Sequence, residues 1–152
     1  MVIQYELELT KNKIPALVKQ AEYEYDRIKK FDTQEKIIKL LNACMRLNVQ
    51  AEEHVVMIAF DVKLHLLGLF ELSHGSISQA MLPVQNVFSR ALLIGASGII
   101  IAHNHPSGDC TPSHEDDHMV RILKDASKIF DIQLLDFLIL SCDDHFSMIQ
   151  DA

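Results

Sequence analysis

Two histidines separated by a single residue are the most chemically suggestive feature of the chain. His103 and His105 end an apolar run in the segment GIIIAHNH, just before a Pro-Ser-Gly turn. Side chains at positions i and i+2 of a strand point to the same side, so both imidazoles are expected to face one site. Neutral imidazole is a good ligand for zinc, and a catalytic zinc site has three protein ligands plus a water molecule. The pair therefore predicts part of a metal site whose third ligand lies on a nearby element.

A carboxylate downstream of the histidines is a candidate for that third ligand. Asp116 lies in the segment PSHEDD, three residues after Ser113. The same two residues also suit the start of a helix, because serine is a favoured N-cap and a carboxylate at N3 interacts well with the positive helix end. From these residues alone, a metal ligand and a simple helix start both stay open.

The combined spacing of the two segments resembles a known motif. The HxH pair is followed by seven residues, a serine, two further residues and an aspartate. This pattern is similar to the JAMM motif of the MPN (JAB) metalloprotease superfamily, and the string AHNHPSGDCTPSHEDD resembles its RadC branch. The resemblance extends from about Ala51 to the C-terminus and includes the segments SHGSISQAMLPVQNVFSRALLIG and LLDFLIL.

The resemblance implies a zinc-dependent metallohydrolase, a metallopeptidase or isopeptidase that uses a metal-activated water. It implies that His103, His105 and Asp116 are the ligands of one zinc ion per chain, with a bound water completing the site. Ser113 matches the serine that hydrogen-bonds near this water and the reacting carbonyl. The implied substrate is a peptide or another amide.

The resemblance also implies a general base, which is a glutamate upstream of the histidines. Glu53 in the segment AEEHVVMIAF matches it, and would accept a proton from the water and donate it to the leaving amine. Glu52 is the alternative, but strand alternation places it on the opposite face from Glu53. Without the motif, Glu53 would be interpreted as a polar residue at the start of a strand.

Some segments depart from the RadC pattern. Phe137 in LLDF stands where the family usually has a histidine, a change that concerns substrate handling more than metal binding. The segment SCDDH replaces a turn that tends to contain glycine. The helix-hairpin-helix segment of longer RadC proteins is not evident. We therefore expect an N-terminal strand and helical lead-in over residues 1–50, packed on the same domain, and an MPN/JAB catalytic domain over residues 51–152.

The elements that must position these residues begin with a strand. Alternating polarity in IQYELEL predicts this strand, and residues 13–30 look helical, with Pro15 tolerated in the first turn. Asp32 as N-cap with Glu35 three residues later predicts the start of another helix. The apolar face of this second helix is expected to contain Ile37, Ile38, Leu41 and Met45.

Strands and helices continue to alternate through the rest of the chain. EEHVVMIAFD and LHLLGLFELSHG predict a hairpin, and LPVQNVFSRALLIGA predicts a helix with Pro83 near its start and Gly95 near its end. The apolar segment GIIIAHNH predicts a strand covered on both faces, followed by a helix from Ser113 and strands in IQLLDFLILS and HFSMI. We expect a single α/β domain of the MPN type, with a mixed sheet covered by helices in a deaminase-like three-layer arrangement.

The composition is that of an ordinary globular domain. The 152 residues are 49% hydrophobic and 23% charged, and no apolar run approaches the roughly 20 residues that span a bilayer. The N-terminus lacks the basic start and apolar core of a signal peptide, so we expect a cytoplasmic protein without a membrane segment. Cys44, Cys110 and Cys142 form no CxxC pair and are expected to be thiols, with Cys110 a neighbour of the histidines rather than a ligand.

The charge of the chain argues against direct contact with nucleic acid. Its net charge is −7, whereas nucleic-acid binding depends on Lys and Arg side chains that neutralise phosphates. The basic segment DRIKK, followed by QEKIIK, is interleaved with acids and is interpreted as a solvated helix face. Apolar strands such as HVVMIAF are compatible with a homodimer and equally with a core.

Three alternative interpretations stay open. HEDDH at residues 114–118 matches the HExxH pattern of zinc proteases, with Glu115 as base and a distant third ligand. The second is a non-catalytic interaction module of the same fold, and the third is the role in DNA repair traditionally associated with RadC proteins. A zinc deaminase is disfavoured because no PCxxC segment is present.

Overall fold

The computed structural model describes residues 1–25, 30–75 and 82–150. Within these residues it contains seven strands, three α-helices and a short 3-10 helix at Leu47–Val49. In chain order the elements are β1 (Val2–Leu9), β2 (Pro15–Tyr23), α1 (Gln34–Met45), β3 (His54–Phe60), β4 (Leu66–His74), α2 (Val84–Ile94), β5 (Gly98–Asn104), α3 (His114–Phe130), β6 (Gln133–Leu140) and β7 (His145–Ser147).

All seven strands belong to one sheet, in the order β2-β1-β4-β3-β5-β6-β7. The pairs β1/β4 and β5/β6 are parallel and the other pairs are antiparallel, so the sheet is mixed. A parallel pair needs a crossover connection, and α3 supplies it between β5 and β6. This connection places the start of α3 next to the end of β5, where the two histidines lie.

Side chains pack against helices on both faces of the sheet. Met57 and Ala59 of β3 pack with α2 and α3, whereas the alternate residues Val56, Ile58 and Phe60 pack with α1. Every residue of β5 is buried, which is the pattern of a strand covered on both faces. The predicted α/β fold with a mixed sheet in three layers is confirmed.

β2 replaces the helix predicted for residues 13–30, and that prediction was wrong. Pro15–Tyr23 form an edge strand antiparallel to β1, with Leu9 opposite Pro15. The free edge of β1 offers backbone N–H and C=O groups that this pairing satisfies, and the tertiary context overrides local helix propensity. Proline is tolerated at the first position of an edge strand. Residues 26–29, most of the DRIKK segment, lie outside the described residues.

α1 begins one position later than predicted. Thr33 rather than Asp32 is the N-cap, and the Thr33 Oγ1 accepts from the backbone N–H of Lys36 at 3.4 Å. The Asp32 carboxylate is engaged by the ammonium group of Lys36 instead. The buried face is also rotated slightly from the prediction, and it consists of Ile37, Leu40, Leu41 and Cys44.

The other predicted elements are confirmed, including the β3–β4 hairpin and the helix that starts after Ser113. β1 pairs with β4 through Gln4 and Leu69, so the N-terminal strands share the sheet that carries the histidines. A functional boundary at residue 50 stays a prediction.

All three cysteines are free thiols. No helix in the described part of the chain has the length and apolar character that crossing a bilayer requires.

Candidate metal centre

β5 and its two partner strands hold the pair of histidines. His103 lies opposite Val55 of antiparallel β3 and opposite Ile139 of parallel β6. The backbone N–H of His105 donates to the carbonyl of Leu140 at 2.8 Å, which extends the pairing past the end of β5. The two imidazoles consequently lie on one side of the sheet, with ring centroids 4.8 Å apart.

A reciprocal cap holds Asp116 at the start of α3. The Ser113 Oγ accepts from the backbone N–H of Asp116 at 3.1 Å, and the Asp116 Oδ2 accepts from the backbone N–H of Ser113 at 2.8 Å. The cap fixes the carboxylate as well as the helix start. One pair of residues can therefore begin the helix and present a ligand to the histidines.

His103, His105 and Asp116, here called the buried cluster, converge on one point. The His103 Nε2 lies 2.9 Å from the Asp116 Oδ1, and the His105 Nε2 lies 3.5 Å from the Asp116 Oδ2. One donor atom from each residue lies within 4.8 Å of the other two. Two imidazoles and a carboxylate form a ligand set that zinc accepts.

The imidazole of His103 indicates that a cation fits this cluster. Neither of its ring nitrogens has a hydrogen-bond partner among the described residues, so the 2.9 Å approach to Asp116 lacks hydrogen-bonding geometry. A buried polar atom left without a partner costs about 1–3 kcal/mol. A cation bound to Nε2 would offset this cost.

His105 is oriented by a backbone carbonyl. Its Nδ1 lies 2.8 Å from the carbonyl oxygen of Asp109, which can only accept, so the neutral ring carries its proton on Nδ1. The lone pair on Nε2 then faces Asp116. The Asp116 carboxylate raises the pKa of His105, burial opposes this rise, and the Asp109 carbonyl adds to it.

The Asp116 carboxyl is ionised at neutral pH. Burial by itself would raise its pKa, but the imidazoles of His103 and His105 and the backbone N–H of Ser113 outweigh burial. The pKa of Asp116 consequently lies well below its ordinary value. The buried cluster therefore presents a negatively charged ligand without any need for deprotonation.

The buried cluster opens into a cleft of about 840 Å³, which Glu53 and Ser113 also line. The charge of Glu53 contributes to the raised pKa of His105. Glu52 borders the cleft as well, but its carboxylate Oε2 lies 2.7 Å from the Nε2 of His74. The structure thus brings all five sequence-predicted residues to one cleft, where Glu52 is paired with His74. The catalytic roles of Glu53 and Ser113 stay predictions.

Asn104, between the two histidines, makes hydrogen bonds to the backbone of the segment that carries Glu53. Its Oδ1 accepts from the backbone N–H of His54 at 2.7 Å, and its Nδ2 donates to the carbonyls of Glu52 at 2.9 Å and Gln50 at 3.3 Å. The Asn104 side chain is buried and belongs to the opposite side of β5 from the imidazoles. The sequence indicated only a structural role for Asn104, because its partners lie about fifty positions away in the chain.

Phe137 lies against His103, whose ring nitrogens have no hydrogen-bond partner among the described residues. Its ring centroid is 5.4 Å from that of His103, with an interplanar angle of 66°, and the side chain is buried. An aromatic edge contact orients the imidazole by packing alone, since a phenyl ring offers no conventional hydrogen-bond acceptor to Nδ1. The departure from the RadC pattern noted in the sequence is therefore next to the candidate centre.

The HExxH alternative does not assemble a site in the described structure. His114 and His118 belong to neither of the two groups of potential metal ligands found among the described residues. Glu115 borders the cleft and likewise belongs to neither group among the described residues. Cys110 is buried against α2 and α3 and likewise lies outside both groups.

Comparisons with known proteins match most of the chain. The family model described as "RadC-like JAB domain" matches residues 31–152. A UPF0758 protein of Thermotoga maritima is 36% identical over 132 residues, which are 86% of this chain and 58% of the relative. A UPF0758 protein of Burkholderia cenocepacia is 36% identical over 106 residues, which are 68% of this chain and 41% of the relative. The chain thus spans about two fifths to three fifths of the length of these relatives.

Proposed function

The chain belongs to the family of RadC-like JAB domains, and from this premise we propose that it is a zinc-dependent hydrolase of peptide or isopeptide bonds. The observation that carries the proposal is the convergence of the buried cluster in a cleft that Glu53 and Ser113 also line. A simple helix start would account for the Ser113–Asp116 cap, but it would require neither histidine.

The Nε2 atoms of His103 and His105 and the carboxylate of Asp116 would hold the cation. When bound, zinc supplies a Lewis acid that lowers the pKa of a water molecule to about 7. The Asp109 carbonyl supports this ligand set because it fixes the tautomer and the orientation of the His105 ring.

Glu53 would act as the general base. Its carboxylate would accept a proton from water in the cleft and then donate it to the nitrogen of the leaving amine. The backbone of Glu53 is held on one side by the N–H of Gly75, which donates to its carbonyl at 2.9 Å. On the other side, Asn104 bonds to the backbone of both neighbouring residues. These contacts limit movement of the carboxylate relative to the histidines.

Ser113 would stabilise the negative charge that develops on the substrate carbonyl oxygen. Its Oγ accepts the backbone N–H of Asp116, so its own hydroxyl proton can be donated into the cleft. The N-terminus of α3 adds the positive partial charges of its backbone N–H groups.

The decisive experiment combines metal content with turnover. We expect the purified chain to bind zinc stoichiometrically and to release amine from a panel of peptides and isopeptide-linked peptides. Glu53→Gln keeps the shape of the side chain and removes the base, so turnover should fall about 10²- to 10⁴-fold with zinc content unchanged. Glu115→Gln, at the border of the same cleft, is the matched control and should retain turnover.

Two results would contradict the proposal. The first is failure of the purified chain to bind zinc or a related cation at the buried cluster. The second is equal turnover by the wild type and Glu53→Gln. A non-catalytic interaction module that keeps the fold would give the second result, with zinc bound and no dependence on Glu53.

A further inference from the structure

A second group of potential metal ligands lies on the paired strands β3 and β4. It consists of His54, Glu71 and His74, here called the cross-strand cluster. His54 lies directly opposite His74 in the antiparallel register, and their rings stack with centroids 4.0 Å apart and an interplanar angle of 20°. One donor atom from each residue lies within 4.8 Å of the other two.

A β-bulge brings the glutamate to the histidines. Residues i and i+3 of a regular strand point to opposite faces, so Glu71 and His74 would normally be separated by the sheet. Val55 lies opposite Ser73, whereas Val56 lies opposite Glu71, which leaves one extra residue in β4. This bulge turns Glu71 to the face of His74, and bulges of this kind commonly re-aim a side chain at a functional site.

The ligands of the cross-strand cluster and of the buried cluster point to opposite faces of the sheet, although Glu52 both borders the cleft and contacts His74. Val55 and His103 are directly opposite each other, and Val55 packs on the α2/α3 face. His54 precedes Val55 and so faces the other side, together with Val56, which packs with α1. A cation held by one cluster would therefore not be shared with the other.

The contacts of His74 indicate what the cross-strand cluster would bind. Its Nε2 lies 2.7 Å from the Glu52 Oε2, and its Nδ1 lies 3.7 Å from the Glu71 Oε1. The same oxygen of Glu71 lies 3.1 Å from the Nδ1 of His54. The contacts therefore bring imidazole nitrogens of His54 and His74 and a carboxylate oxygen of Glu71 close together, and these are ligand types that zinc accepts.

We propose that His54, Glu71 and His74 form a second divalent-cation site, which takes zinc or a cation of similar ligand preference. Two imidazoles and one carboxylate favour such a cation over magnesium or calcium, which prefer oxygen ligands. Glu52 acts as a positioning residue that orients the His74 ring. The side chains of His54, Glu71 and His74 are 14%, 32% and 54% exposed, so the site is reached directly from solvent.

The second site would tie the start of β3 to the end of β4 on either side of Glu53. The Gly75 N–H that follows His74 already donates to the Glu53 carbonyl at 2.9 Å. A cation bridging His54 and His74 adds a further connection between these two segments. The site therefore belongs to the part of the chain that carries the proposed base, although its ligands lie on the opposite face.

Zinc stoichiometry of the full chain tests the proposal, with Zn²⁺ itself as the probe and a chromophoric chelator as competitor. We expect two zinc ions per wild-type chain, one for each cluster. Asp116→Asn and His74→Ala should each bind one, and the combined variant should bind none. His65→Ala is the matched control and should bind two, because His65 pairs with Asp61 at 2.9 Å and belongs to neither group of potential metal ligands among the described residues.

Imidazole nitrogen NMR in the Asp116→Asn background gives a second readout that does not depend on activity. The ring nitrogens of His54 and His74 should shift on zinc addition, and Glu71→Gln, which keeps the side-chain shape, should abolish the shift. Two zinc ions bound by His74→Ala would overturn the proposal, as would a wild-type chain whose single zinc is lost in Asp116→Asn. A single zinc that only His74→Ala removes would support the second site and contradict the proposed hydrolase.

Discussion

The buried cluster and the cross-strand cluster use the same ligand types but hold them differently. In the buried cluster the histidines end a fully buried strand, and the carboxylate is fixed by the cap of α3. In the cross-strand cluster, two stacked imidazoles and a bulged glutamate lie on a half-exposed part of the sheet. Both clusters therefore offer two imidazoles and one carboxylate, whereas the constraint on each ligand differs.

This difference has consequences for affinity. A ligand that is already fixed loses little side-chain entropy on binding, whereas a more exposed and less constrained histidine loses more. Taken together, the side chains of the buried cluster are also less exposed to water than those of the cross-strand cluster, which strengthens their electrostatic interaction with a cation. We expect the buried cluster to bind zinc more tightly than the cross-strand cluster.

The largest effect on zinc affinity is expected when the carboxylate of the buried cluster loses its charge. Asp116→Asn keeps the cap, since an amide oxygen still accepts from Ser113, but it removes the charge. We expect zinc affinity at the buried cluster to fall at least about 100-fold, the upper end of the loss that changes in supporting residues cause. Glu71→Gln should leave that affinity unchanged. Chelator competition measures zinc affinity in both variants. Equal losses of affinity at the buried cluster in Asp116→Asn and Glu71→Gln would contradict the distinction between the two clusters.

An intermediate effect is expected for Asn104, which lies between the two histidines of the buried cluster and accepts a hydrogen bond from the backbone N–H of His54 in the cross-strand cluster. Asn104→Ala leaves the backbone groups of Gln50, Glu52 and His54 without their side-chain partner. We expect the free energy of unfolding to fall by about 1–3 kcal/mol, as for a buried polar group left unpaired. Turnover should fall while zinc content at the buried cluster is kept, since Glu53 loses its support.

Chemical denaturation and a turnover assay of the metal-loaded protein test the role of Asn104. Asn104→Asp is the conservative comparison, because it keeps the acceptor for His54 and loses the donor for Glu52. Because its buried carboxylate would face the carbonyl oxygens of Gln50 and Glu52, it should be at least as destabilised as Asn104→Ala. An unchanged free energy of unfolding in Asn104→Ala would show that the Asn104 side chain does not hold the segment that carries Glu53.

The smallest effect is expected at the helix cap. Ser113→Ala should lower the free energy of unfolding by about 1 kcal/mol, since the N–H of Asp116 loses its acceptor. Thr33→Ala at α1 is the matched control, because its cap bond is longer, at 3.4 Å, and Thr33 neither lines the cleft nor belongs to either ligand group described above. Both variants should lose stability, but only Ser113→Ala should lose turnover. A loss of zinc at the cross-strand cluster in Ser113→Ala would contradict the independence of the two clusters.

The sequence predicted the candidate centre better than it predicted the second group of ligands. HxH and SxxD lie on elements whose positions follow from local rules, a strand end and a helix start joined by a parallel crossover. The cross-strand cluster depends on the pairing of His54 with His74 and on a bulge in β4. Neither the register nor the bulge follows from the residues of one strand considered alone.

The N-terminal region shows that parts of the fold also cannot be predicted from the residues of one segment considered alone. β1 was predicted from its alternating polarity, but β2 was predicted as a helix, because its residues satisfy a helical pattern when considered by themselves. What decides its structure is the open edge of β1, a tertiary feature. Asn104 is a similar case, since its buried amide bonds to a segment about fifty positions earlier in the chain.

Asp116 is part of the helix cap and also a candidate metal ligand, and this combination has a kinetic consequence. Its carboxylate is anchored to the backbone of Ser113 by the helix itself, so it occupies its position before any ion arrives. Capture of an ion then involves no folding step, and its rate should be governed by how quickly the incoming ion sheds its hydration water. The helix start would be retained when a chelator strips the ion away, and the apoprotein could be reloaded repeatedly without denaturation.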